Sequence, residues 1–227
     1  MIKYLILDFG KVLAYPTTGN WSITPKFLEL VDFKKIDSNI LKESIIRNEH
    51  IKSCGLLITN TDEEYKAMLE FYTNILKESY SEYSSELAEQ IANDFVYGYD
   101  KYTLYDDVVS QLTRLSKMYK LILLSDNWPS VIDYMKEKKI YSIFDKIYVS
   151  SIYGCQKKDG SFFDYPIKDY NITSGEALFI DDNEENLDIA KMKGLDVLLM
   201  DRKGLIKNTK YKTVSELKEV GQINKEK

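Results

Sequence analysis

The sequence predicts an α/β fold, a Rossmann-like parallel sheet core with an inserted helical cap domain. Three observations predict it. Five short apolar runs, bounded by polar or turn residues, recur along the chain. Helical patterns separate the later runs. The stretch 17–99, after the first run, reads as helices with no strand between them.

The first apolar run, 4–7, ends on Asp8. The others are 121–124, 146–149, 177–180 and 196–200. Runs this short fit buried parallel strands better than helices. Between them, 106–119 places Val108, Val109, Leu112 and Leu115 at helical spacing. Residues 129–139 begin with Pro129, a favourable first-turn residue, and 186–193 fit one or two further turns. Such alternation implies βαβ units and right-handed crossovers. In the insertion, 61–80 has a candidate N-cap at Thr61 or Asp62. It sets Tyr65, Met68, Leu69, Tyr72 and Leu76 on one face, and 84–99 reads as another helix. The expected division is a core of 1–16 and 100–227 and a cap of 17–99. The tail, 221–227, is expected to fray.

Composition narrows the function. The 227 residues are 44% hydrophobic and 30% charged, enough for a sizeable core. A net charge of −5 argues against a broad nucleic-acid face. No run is long and apolar enough to span a bilayer, and the first residues do not read as a signal peptide. A cytoplasmic protein, monomer or homodimer, with no membrane partner is therefore expected. Cys54 and Cys155 lack metal-binding spacing, and reduced thiols are expected. A single histidine, His50, argues against a His-centred triad or a multi-histidine metal site; it is expected on a helix surface. Trp21 and most of the 18 tyrosines are expected to pack, while Trp128 is the aromatic placed to touch a substrate.

In an open parallel sheet, ligands bind outside the carboxyl ends of the strands. Four such ends carry polar residues: Asp8; Ser125-Asp126-Asn127; Lys157-Lys158, after the third core strand; and Asp181-Asp182. Singly, each fits a cap, a turn or a solvated loop. Together and in this order, they resemble the motifs of the haloacid dehalogenase-like superfamily, chiefly its phosphatases with a helical cap. The resemblance covers nearly the whole chain. It implies Asp8 as a nucleophile that forms an aspartyl-phosphate with a small phosphate ester, a sugar phosphate among the candidates. Ser125 and Lys157 would hold the phosphoryl oxygens, with Asp126 and Asn127 beside the substrate. It implies Mg²⁺ on Asp8, Asp182 and the Gly10 carbonyl. Asp181 would orient Lys157; Asp181 as the direct ligand is the alternative.

The resemblance breaks at one place. Family phosphatases carry an aspartate two residues after the nucleophile, as general acid and base, where this chain has Gly10. Lys11 and Val12 replace the usual Gly-Thr. Gly10 leaves three readings: a phosphatase favouring good leaving groups, a phosphate-ester-binding protein without catalysis, or a metal-independent haloacid dehalogenase. The last would leave Asp181-Asp182 unexplained. A glycine at position 10 is also compatible with a need for positive φ.

Overall fold

The computed structural model describes residues 1–221; all of the tail except Gly221 lies outside them. The described residues form a parallel sheet of six strands. In chain order these are β1 (Tyr4–Leu7), β4 (Lys120–Ser125), β5 (Lys146–Val149), β6 (Ala177–Asp181), β7 (Asp196–Met200) and β8 (Thr213–Val214), arranged β5-β4-β1-β6-β7-β8. The remaining numbers belong to a two-stranded antiparallel ribbon, β2 (Ala14–Pro16) with β3 (Tyr102–Leu104).

β1 is central, and its register positions the site. Leu7 pairs with Leu123 on one side and Ile180 on the other. The residues following these strands therefore emerge at the same edge. The period-two alternation of strands splits the core between two faces. Leu5, Leu7, Leu121 and Leu123 pack with Val131 and Tyr134 on one side. Ile6, Ile122, Leu124 and Phe179 pack with Phe162, Phe163 and Leu187 on the other.

The helices are α1 (Pro25–Leu30), α2 (Ser38–Arg47), α3 (Thr61–Ser79), α4 (Ser85–Tyr97), α5 (Val108–Leu115), α6 (Ser130–Glu137), α7 (Ser150–Tyr153), α8 (Asp164–Asp169), α9 (Glu184–Met192) and α10 (Leu217–Val220). The first four have a core of their own, in which Phe27, Met68, Phe71, Tyr72 and Ile91 are buried. Trp128, from the loop after β4, joins that core. No helix among the described residues is long and apolar enough to cross a membrane.

Several elements differ from the sequence pattern. Asn60, rather than Thr61 or Asp62, caps α3 by accepting from the Glu63 amide at 3.0 Å. α5 is shorter than 106–119, and α9 begins before 186 because Asn183 caps it at the Glu185 amide. The ribbon and β8 carry two or three residues per strand, too few for a periodic signal. The ribbon lies where the chain leaves β1 for the helices and where it returns.

Candidate active site

Asp8 follows β1 directly, and its amide donates to the Ile180 carbonyl at 3.0 Å. The parallel register thus brings Asp8 beside Asp181, the last residue of β6, and Asp182. Lys157 lies after α7 and Gly154, whose φ of 64° makes the left-handed turn that ends the short helix. Its backbone is anchored by an amide hydrogen bond to Asp126 Oδ1 at 3.0 Å. Its ammonium lies 2.8 Å from Asp8 Oδ1 and 2.6 Å from Asp181 Oδ2. Lys157 is buried, so this is a desolvated triad of one cation and two acids.

Asp181 is held from both ends. Its Oδ1 accepts from the Asn183 amide at 2.8 Å, and Asn186 Nδ2 donates to both its oxygens at 3.2 and 3.1 Å. Asp8 Oδ2 and Asp182 Oδ1 have no such donor among the described residues. Asp182 Oδ2 instead meets the Lys11 ammonium at 3.0 Å. Oxygen atoms of Asp8, Asp181 and Asp182 lie within 4.8 Å of one another. An all-carboxylate donor set with two oxygens free fits a hard divalent cation such as Mg²⁺.

Burial pushes the Asp8 carboxyl up to about 7, against the opposing pull of Lys157. Burial also raises the carboxyls of Asp126 and Asp182, opposed by Lys157 and Lys11 respectively. Burial disfavours the Lys157 ammonium, but Asp181 and Asp8 outweigh it and raise its pKa, so it stays charged.

A cavity of about 720 Å³ opens over these groups. Asp8, Gly10, Asp126, Asn127, Lys157, Asp181 and Asp182, all expected at the site, line it. Ser125 lies at the end of β4 but not on the cavity wall; it is buried, and its Oγ has no hydrogen-bond partner. The Asn127 side-chain oxygen is turned back onto the Trp128 amide, at 2.9 Å. Lys158 lines the cavity too, but is exposed and lacks the contacts of Lys157.

The opposite wall comes from the helical stretch. Trp21, Glu49, His50, Lys52, Ser53 and Cys54 face the strand-end acids. His50 is therefore not on a helix surface: it follows α2 and lines the cavity. The loop carrying Glu49 to Cys54 is tied to the sheet side: Ser150 Oγ donates to the Cys54 carbonyl at 2.8 Å, and the Ile58 amide to the Ser151 carbonyl at 2.8 Å. Nothing in the local pattern marked Trp21 or Lys52. Asn186 had a visible signal, its place in the first turn after Asp181-Asp182. Gly10 is absent from the positive-φ residues; Lys11, at φ 52°, is the one there. A Cβ on Gly10 would meet the Trp21 ring at 3.3 Å, so the indole borders the space a side chain would need.

Comparison with known proteins bears on the fold and the family. D-ribitol-5-phosphate phosphatase of Bacteroides thetaiotaomicron is 33% identical over 89 residues, 36% of this chain and 43% of that protein. The match thus spans less than half of that relative's length. Over the whole fold, the magnesium-bound HAD-hydrolase YfnB of Bacillus subtilis superposes with a TM-score of 0.67 at 17% identity, covering 98% of each chain. The L-2-haloacid dehalogenase of Xanthobacter autotrophicus superposes at 0.64 and 16% identity, covering 99% of each. The family model for haloacid dehalogenase-like hydrolases matches residues 44–200, more than half of the chain, and the chain belongs to that family.

Proposed function

We propose that this chain is a Mg²⁺-dependent phosphatase that hydrolyses a small phosphate monoester, a sugar phosphate among the candidates, in the cytoplasm. The observation that carries this reading is the three-carboxylate cluster with Lys157 bridging Asp8 and Asp181. A dehalogenase, whose nucleophile attacks carbon, has no use for so many acids. The phosphatase activity of the Bacteroides relative supports the same choice.

In the proposed reaction an Asp8 oxygen attacks phosphorus, and the bond to the leaving oxygen breaks. Lys157 holds the phosphoryl oxygens; the Ser125 hydroxyl, buried at the end of β4 and off the cavity wall, would join it after a local shift, its unpartnered Oγ being a donor in want of an acceptor. Asp181, clamped by Asn183 and Asn186, fixes Lys157 in place. Water then attacks the aspartyl-phosphate and frees Asp8. A Mg²⁺ bound by Asp8, Asp182 and the Gly10 carbonyl would offset the repulsion between nucleophile and phosphate. Residues 17–99 act as the cap, and Trp21 and Lys52 reach the substrate from it. A second reading, ester binding without turnover, draws on Gly10, because no carboxylate there can protonate the leaving group.

A screen of phosphorylated metabolites with and without Mg²⁺ tests both. Turnover that needs Mg²⁺ is expected. Tight ester binding without turnover would establish the second reading, and metal-free turnover of a haloacid would overturn both.

A further inference from the structure

The mechanism above makes no use of Lys11. Its ammonium lies 3.0 Å from Asp182 Oδ2, and the residue lines the cavity. Lys157 already serves Asp8 and Asp181. Each clustered carboxylate therefore has an ammonium partner before any ion arrives. Three clustered acids against two lysines leave one formal negative charge, to which Asp126 beside Lys157 adds a second, so the lysines already offset much of the attraction for a divalent cation. Lys11 also holds an uncommon conformation for a residue with a side chain, φ 52°, fixed by its amide hydrogen bond to the Ala14 carbonyl at 2.6 Å. Such an outlier invites a functional reading when it sits in a site. Its side chain is 60% exposed, so it can leave Asp182 by rotation about its own torsions.

We propose that Lys11 is a rival built into the metal site: its ammonium and the divalent cation exchange at Asp182, and the displaced ammonium turns to the oxygens of the phosphate ester. This rests on the Mg²⁺-phosphatase reading. It makes the two ligands cooperative. Alone, the cation competes with Lys11 for the charge of Asp182, whose Oδ2 the ammonium already holds. With phosphate present, the displaced lysine gains a new partner, so phosphate raises the affinity for Mg²⁺ and Mg²⁺ raises that for phosphate.

Calorimetric titration of Mg²⁺, with and without inorganic phosphate, tests the exchange in the wild type, Lys11→Met and Lys11→Gly. Glycine suits the positive φ, and a melting curve confirms that each variant folds. Without phosphate, both variants should bind Mg²⁺ roughly fivefold more tightly, the effect of removing one half-exposed ion pair. The enhancement by phosphate should be present in the wild type and smaller in both variants. Equal Mg²⁺ affinity in the wild type and Lys11→Gly would overturn the proposal while leaving the metal site standing. Absence of Mg²⁺ binding in all three proteins would remove the metal site itself, and the exchange with it.

Discussion

Ser125 and Lys157 separate two ways in which a buried polar residue can matter. The Ser125 hydroxyl is buried and unpartnered, a feature that costs about 1–3 kcal/mol. Ser125→Ala should therefore leave stability unchanged or raise it, while kcat/KM falls roughly 10²-fold. A clear loss of stability in urea would show that the hydroxyl has a partner in solution. Lys157→Met strands Asp8 and Asp181 as buried acids without their cation, and should cost about 3–5 kcal/mol along with activity. Lys158→Ala, at an exposed position, should cost little of either. Equal losses in the two lysine variants would move the phosphate contact one residue along. At Gly10 the obstacle to a side chain is the Trp21 ring, not the backbone. Gly10→Asp should therefore shift the kcat/KM ratio towards alkyl over aryl phosphates more in a Trp21→Ala background than in the wild type, because general acid help matters most for poor leaving groups. The same shift in both backgrounds would show that Trp21 does not restrict the site.

A buried polar node joins the helical stretch to the sheet at the scale of elements. Glu64, in the first turn of α3, accepts from the Ser130 amide at 2.8 Å and from its hydroxyl at 2.6 Å. Ser130 opens α6, immediately after the loop that holds Asp126 to Trp128. The Lys101 ammonium donates to the Phe95 carbonyl at 2.6 Å and to Ser130 Oγ at 2.7 Å, with Glu64 Oε1 4.0 Å away. The node therefore links α3, α4, α6 and the returning chain. Glu64→Ala leaves a buried ammonium without its carboxylate and should cost about 3–5 kcal/mol. Glu64→Gln keeps the shape and an acceptor for Ser130, and should cost less. Urea unfolding of the two variants decides, and similar losses would mean that the charge is unimportant there.

The same node gives the whole molecule a pH signature. Burial lowers the Lys101 pKa to about 8 from 10.5, with Glu64 opposing. Below pH 8 the ammonium is charged in folded and unfolded chains alike, and the fold bears the full cost of burying it. Between 8 and 10.5 the unfolded chain holds more protons, so this residue's contribution to stability rises with pH. Relative to Lys101→Met, the wild type should gain up to roughly 3 kcal/mol across that window. The difference in unfolding free energy, measured at several pH values, isolates Lys101 from the other titrating groups. A flat difference would place its ammonium in water.

Much of the architecture was legible in the chain itself. Buried strands need apolar runs, helices need a repeating face, and parallel sheets collect ligands at their carboxyl ends. Asp8, Ser125 and Asp181-Asp182 could therefore be put at one edge as strand ends, and Lys157 joined them through the family resemblance of the whole set. Short-range patterning also showed the helical stretch after β1, but not the two- and three-residue strands, which leave no period to detect. Tertiary structure alone decided which carboxylates are already engaged. Asp181 is saturated by Lys157, Asn183 and Asn186, whereas Asp182 meets Lys11, 171 residues away in sequence. It also placed Trp21 over Gly10, and His50 and Lys52 on the cavity wall. The physical reason is range: a periodic pattern constrains a side chain relative to neighbours within a few turns. Contacts between distant residues depend on strand register and on how the helical stretch closes over the sheet, which packing of the entire chain determines.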